Sequence, residues 1–247
     1  MALPHSWSGN PDARVLVLSN SLGTVQAMWD EVMPWFEERF HVLTYDLPGH
    51  FGPSSGFTFR SMVDETVGLL DALGIQGAAM AGVSVGGAIS VATAAARPDL
   101  VSATVAINAP IRQASAQFWY DRAESVGRDG LGPIADGMLQ RWFSEETSAA
   151  WRIIDQFLAL DPSGYAAACR ALAELDVTDD ADRVTVPTLI VAASDDVSVP
   201  PANAEELARR IPDSVLWRVD DGGHLLPVRR PEVVGPLVTA FAVSRVG

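Results

Sequence analysis

Short, unbroken apolar runs recur along this chain, separated by stretches in which apolar residues return every three or four positions. The runs at 14–18, 41–45, 78–81, 102–107, 187–193 and 215–219 are short and continuous, the pattern of strands buried on both faces of a sheet. Between them the helical rhythm predicts helices near 27–36, 60–73, 87–96, 202–210 and 231–243. In the second of these Met62, Val63, Val67, Leu69, Leu70 and Leu73 form the apolar positions, and Gly74 supplies the stop. Strands alternating with helices imply an α/β fold, a mostly parallel sheet with helices on both faces.

The alternation stops between 111 and 182. That segment is helical in composition, punctuated by Gly and Pro, and rich in aromatics such as Phe118, Trp119, Trp142, Phe157 and Tyr165. We therefore expect a core made of residues 1–110 and 183–247, with 111–182 inserted as a helical cap over the strand ends, where open α/β sheets bind ligands. A chain of 247 residues is long enough for one such domain with a substantial core.

Gly82-Val83-Ser84-Val85-Gly86 joins the predicted strand at 78–81 to the helix at 87–96. A serine on so sharp a turn has a strained backbone and a hydroxyl lifted out of the sheet edge, while the flanking glycines let strand and helix pass closely. The five-residue pattern alone is weak; the strand before it, the helix after it and partners downstream give it weight. A serine hydroxyl becomes a nucleophile when a histidine takes its proton, and that histidine needs a carboxylate to fix its tautomer. Of four histidines, His5 lies in a stretch expected to fray, His41 begins a strand and His50 sits in a Gly/Pro loop suited to a structural hydrogen bond. His224 follows the last predicted strand and precedes the C-terminal helix, where a loop can swing an imidazole over the sheet edge. Asp195 and Asp196 follow the strand at 187–193, and by position either could reach it. Asn108 and Pro110 leave no carboxylate just after the preceding strand. Serine, aspartate and histidine thus come in the order of an α/β-hydrolase. The backbone N–H of Val85, at the positive end of a helix, and a second from the loop after residue 18, Leu22, would form an oxyanion hole.

Composition narrows the partners. Apolar residues make up 48% and charged residues 19%, the net charge is −14, and all 17 basic residues are arginine. Such acidity disfavours nucleic acid and anionic membranes. The single cysteine, Cys169, excludes an internal disulfide and a Cys-based metal site, and its Ala-rich helical setting suits a buried, inert thiol. No cofactor or metal is expected. The N-terminus lacks the pattern of a signal peptide, and no apolar run of about 18 residues occurs, so we expect a cytoplasmic protein.

On these residues the chain resembles the α/β-hydrolase superfamily over nearly its whole length, and within it the 3-oxoadipate enol-lactone hydrolases. The likeness lies in Leu18-Ser19-Asn20-Ser21-Leu22-Gly23-Thr24 with Met28-Trp29-Asp30, Tyr45-Asp46 with Gly49-His50, Arg141-Trp142-Phe143, and Gly164-Tyr165-Ala166-Ala167-Ala168-Cys169. The resemblance implies a Ser84–His224–Asp196 triad, because the family's acid stands four residues before a Pro-Pro pair, here Pro200-Pro201. It also implies oxyanion donors at Leu22 and Val85. Its substrate bears a carboxylate arm, for which a cap arginine is the natural partner: Arg141 first, beside Trp142, with Arg122 and Arg170 behind. The chain departs from the family in Val-Ser-Val at the elbow and in Phe51-Gly52-Pro53, an extra residue in the loop after Gly49-His50. Only about 14 residues precede the first clear strand, so the usual N-terminal hairpin should be missing or reduced. A broad carboxylesterase, a cofactor-free perhydrolase and a non-catalytic ligand receptor share the same core and are the competing functions.

Overall fold

All six continuous apolar runs are strands: β2 (Val15–Ser19), β3 (His41–Tyr45), β4 (Ala78–Val83), β5 (Val101–Ile107), β6 (Thr188–Ala193) and β7 (Ser214–Val219). One further strand, β1 (His5–Gly9), precedes them. The computed structural model describes residues 3–48, 50, 58–143 and 145–245; Gly49 and Phe51-Gly52-Pro53 of the loop discussed above lie outside them. The seven strands form one sheet in the order β1-β3-β2-β4-β5-β6-β7. β2 to β7 are parallel, and β1 alone runs antiparallel, along β3. β4 and β6 are buried at every position, which explains their unbroken apolar sequences.

β1 corrects one expectation. His5 does not fray: it pairs with Tyr45 across the edge, and its Nδ1 lies 2.8 Å from the Leu3 carbonyl. His-Ser-Trp-Ser-Gly carries no apolar run because it is a partly exposed edge strand, anchored by Trp7 stacked on His41 at 4.1 Å. The expected hairpin is reduced, among the described residues, to this one strand.

The helices follow the predicted rhythm. A 3-10 turn (Gln26–Trp29) and α1 (Met33–Glu37) share the stretch predicted as one helix. α2 (Phe59–Ala72) starts on a capping box between Thr58 and Ser61 and ends where Gly74 takes φ +69°. α3 (Val85–Ala96) lies against β4 and β5 and is almost wholly buried, which its Gly, Ala, Ser and Thr content permits. Between β5 and β6 run α4 (Ala116–Asp129), α5 (Gly132–Trp142), α6 (Ser148–Leu158), α7 (Pro162–Ala173) and the short α8 (Thr178–Ala181). α4 packs chiefly on α7, and α5 on α6. α9 (Ala202–Arg210), the one-turn α10 (Leu226–Arg229) and α11 (Pro231–Arg245) complete the chain. α11 meets α1 so closely that Trp35 leaves no room for a side chain at Gly235.

Candidate active site

Ser84 sits between β4 and α3 with φ 57° and ψ −123°. A residue with a Cβ is held there only by its surroundings, at a cost of about 1–3 kcal/mol. The surroundings are backbone. Ser84 N–H donates to the Ile107 carbonyl at 2.9 Å, and its own carbonyl accepts from Ala88 N–H at 3.1 Å. A Cβ on Gly82 would stand 2.2 Å from the Gly86 carbonyl group, and one on Gly86 would stand 2.2 Å from the Ser19 oxygen. Only glycine at both positions lets strand, turn and helix approach this closely. Ser84 is 9% exposed, and its hydroxyl makes no hydrogen bond to a described residue.

Of the two adjacent carboxylates, Asp196 reaches the histidine. His224 Nδ1 lies 2.7 Å from Asp196 Oδ2, and both side chains are buried. The other oxygen of Asp196 accepts from Ser198 N–H at 2.7 Å and Val199 N–H at 3.0 Å, which fixes the carboxylate plane. Asp195 has a different contact: its Oδ1 accepts from Gly222 and Gly223 N–H, each at 2.9 Å, and so braces the turn before His224.

Two further supports of that turn escaped the sequence. Asn108, at φ 45° after β5, donates from Nδ2 to the Gly223 and His224 carbonyls at 3.0 and 2.8 Å and accepts from Ala193 N–H at 2.8 Å. An asparagine ending a strand, the residue that best tolerates a left-handed backbone after glycine, was the available signal. The second support is the end of α5. The Trp142 carbonyl accepts from His224 N–H at 3.0 Å and Leu225 N–H at 3.3 Å, while the Arg141 carbonyl accepts from the Ser198 hydroxyl at 3.2 Å. Carbonyls in the last turn of a helix lack intrahelical partners, and here they hold the loops that carry His224 and Asp196.

The loop after β2 presents Leu22. Its base is tied by Asn20, which accepts from Trp29 Nε1 at 2.9 Å and donates to the Tyr45 carbonyl at 3.0 Å. Ser21 N–H meets Met28 Sδ at 3.4 Å, Gly23 N–H donates to His50 Nε2 at 3.1 Å, and Thr24 N–H donates to the Ser21 carbonyl at 3.2 Å. Leu22 N–H has no protein acceptor among the described residues. His50 thus has the structural hydrogen bond expected of it.

Leu22, Ser84 and His224 line one cavity beneath the helices between β5 and β6. No hydrogen bond joins the Ser84 hydroxyl to the imidazole. The same lining includes Arg122, Arg141, Trp119 and Trp142. The two guanidinium carbons lie 4.8 and 5.2 Å from the centre of the Phe118 ring. Neither arginine forms an ion pair with a described residue. Burial first, and then the neighbouring Arg122 charge, holds the Arg141 pKa below its usual value. Arg170 is exposed and outside the cavity lining. Cys169 is buried, and desolvation pushes its thiol up to about 12, so it is no nucleophile at neutral pH. Among the described residues no three His, Cys, Asp or Glu side chains group as metal ligands.

A strained serine, an imidazole held by a buried carboxylate and an unengaged amide at the carboxyl edge of a parallel sheet can together perform acyl transfer on a carbonyl substrate. Comparison with known proteins agrees at the level of fold and family: the model of the alpha/beta hydrolase fold matches residues 14–231, and the chain belongs to this family. Within the family it is similar to 3-oxoadipate enol-lactonase 2 of Acinetobacter baylyi, with 31% identity over 97% of this chain and 92% of that one. The solved enol-lactonase of Burkholderia xenovorans LB400 superposes with a TM-score of 0.94 at 31% identity, covering 98% of this chain and 96% of the other. A thermophilic esterase from Thermogutta terrifontis, solved with malate bound, gives 0.89 at 28% identity over 99% and 94%. Among the described residues no helix is long and apolar enough to cross a membrane.

Proposed function

We propose that the protein is a serine hydrolase of small lactones and esters, and that its substrate is an anionic enol-lactone, 3-oxoadipate enol-lactone, which it opens to 3-oxoadipate. The observation that carries this is the 2.7 Å contact between His224 and Asp196 on the wall of the cavity that Ser84 also lines. Asp196 accepts from Nδ1–H and leaves Nε2 unprotonated, ready to take the Ser84 proton as Oγ attacks the lactone carbonyl. The oxyanion that forms receives the N–H groups of Leu22 and Val85. Collapse breaks the ring C–O bond; the departing enol takes the proton back from His224 and tautomerises to the ketone. Water then gives a proton to His224 and attacks the acyl carbon; the C–Oγ bond breaks, Ser84 takes that proton back from His224, and the second carboxylate is released.

Support for the anionic arm comes from Arg122 and Arg141, two cavity cations without a carboxylate partner among the described residues. A partly buried guanidinium pair favours a carboxylate-bearing ligand over a neutral one. Trp142 contributes part of the apolar wall, and residues 111–182 act as the cap that excludes water. No metal or cofactor takes part, and we assign the enzyme to the cytoplasm. A broader carboxylesterase is the second reading, favoured by the likeness to the Thermogutta esterase.

Turnover on a panel of lactones and esters separates the two. A kcat/KM for 3-oxoadipate enol-lactone at least a hundredfold above that for p-nitrophenyl acetate supports the enol-lactonase. An equal or reversed ranking supports the esterase.

A further inference from the structure

His50 is fully buried, and its Nε2 accepts a hydrogen bond from Gly23 N–H. An acceptor nitrogen carries no proton, so the imidazole is neutral with its hydrogen on Nδ1. No acceptor faces that Nδ1 among the described residues. A buried imidazole with one nitrogen unpartnered is a poor choice for packing alone, since an apolar side chain fills such a space without stranding a polar group. What the imidazole adds is one acceptor, aimed at one amide.

That amide governs the orientation of Leu22. Leu22 lies between two planar peptide units. In the first, its own N–H points opposite to the Ser21 carbonyl, which Thr24 holds through N–H at 3.2 Å and Oγ1 at 2.9 Å. In the second, the Gly23 N–H is held by His50. Fixing both units leaves Leu22 no free rotation about its Cα. From the other side the loop is stopped by rings: at Gly23, with φ +79°, a Cβ would come within 3.1–3.2 Å of Phe157, Trp142 and Tyr165. Those rings pack edge to face and cannot yield independently.

We propose that His50 is a positioning residue of the oxyanion hole: as a neutral imidazole it accepts from Gly23 and thereby aims the Leu22 N–H at the carbonyl oxygen of a group bonded to Ser84. This rests on the serine-hydrolase function proposed above. A donor that is out of place costs more in the transition state than in the ground state, because the charge it serves develops only there. Losing the His50 acceptor should therefore lower kcat and leave KM nearly unchanged.

The test compares His50→Leu, which removes the acceptor, with His50→Gln, whose amide oxygen restores one, both checked by thermal unfolding. On p-nitrophenyl acetate we expect H50L to lose about tenfold to a hundredfold in kcat with KM within twofold, by analogy with loss of a hole donor. Affinity for phenylboronic acid, which forms a tetrahedral adduct on an active serine, should fall in parallel, and H50Q should recover most of both. H50L within twofold of the wild type, or H50Q as impaired as H50L, overturns the proposal. Should H50L not fold, nitrogen-15 spectra of the wild-type imidazole decide: a protonated Nδ1 with a coupling from Gly23 N–H to Nε2 supports it, and a protonated Nε2 overturns it. A wild type that neither hydrolyses the ester nor binds the boronic acid refutes the hydrolase function itself, a result distinct from an active wild type matched by H50L.

Discussion

Asp195 and Asp196 are neighbours with the same side chain and opposite duties. Asp196 orients the imidazole, whereas Asp195 braces residues 222 and 223 through one oxygen that an asparagine can reproduce. Asp196→Asn offers an amide where Nδ1–H needs an acceptor, or forces the other tautomer, and should lower kcat by about 10³–10⁴. Asp195→Asn keeps the acceptor and should stay within about tenfold. Steady-state rates of the two variants check the ranking, and the reverse order would exchange their roles. His50 has a second measurable property. Burial lowers its pKa from 6.5 to about 4. Between those values the unfolded chain binds a proton that the folded chain refuses, so stability falls as pH drops through this window and is unaffected by this group above it. The loss amounts to about 3 kcal/mol by pH 4. Urea unfolding across pH 4–7 should show this slope in the wild type and a shallower one in H50Q; parallel slopes would contradict it.

Among the elements, legibility in the sequence tracked burial. β2 to β7 are visible as apolar runs because parallel strands covered on both faces have no polar side to interrupt them. β1 was hidden because an edge strand with Ser6 and Ser8 beside Trp7 has the composition of a loop. α10 was hidden because one turn of helix is too short to establish a period. The order of Ser84, Asp196 and His224 was readable, since each follows a strand end at the same edge. The choice between Asp195 and Asp196 was not, because position along a loop does not fix which carboxylate faces inward; the family's Pro-Pro spacing supplied it. Nor could the sequence reveal that α5 and Asn108 hold the loops of His224 and Asp196, as these bonds link residues more than 50 positions apart. Asn108→Ala would leave the Gly223 and His224 carbonyls and the Ala193 N–H unpaired in a buried site. We expect about 2–4 kcal/mol lost in chemical unfolding, with activity reduced at temperatures where the variant is still folded. Unchanged stability would mean that water replaces the side chain.

For the whole molecule, the notable contrast is between a chain of net charge −14 and a cavity holding two arginines with no carboxylate partner among the described residues. A diffuse negative field repels an anionic substrate at long range, and local cations must outweigh it at contact. Arg141→Met should therefore raise KM for an anionic lactone by about tenfold or more, the scale of a lost charge-assisted hydrogen bond, and change KM for p-nitrophenyl acetate less than twofold. Equal effects on both substrates would assign Arg141 to packing on Phe118 instead. The claim on which all this depends is that Ser84 is the acylated nucleophile. Its most direct measurement is mass spectrometry of the protein and its peptides after treatment with an alkyl fluorophosphonate, with residual hydrolysis followed in parallel. We expect one label on the peptide containing Ser84, activity falling in step with labelling, and no label in Ser84→Ala. Full hydrolysis by a protein that carries no label, or a label on another residue that tracks the loss of activity, would contradict it.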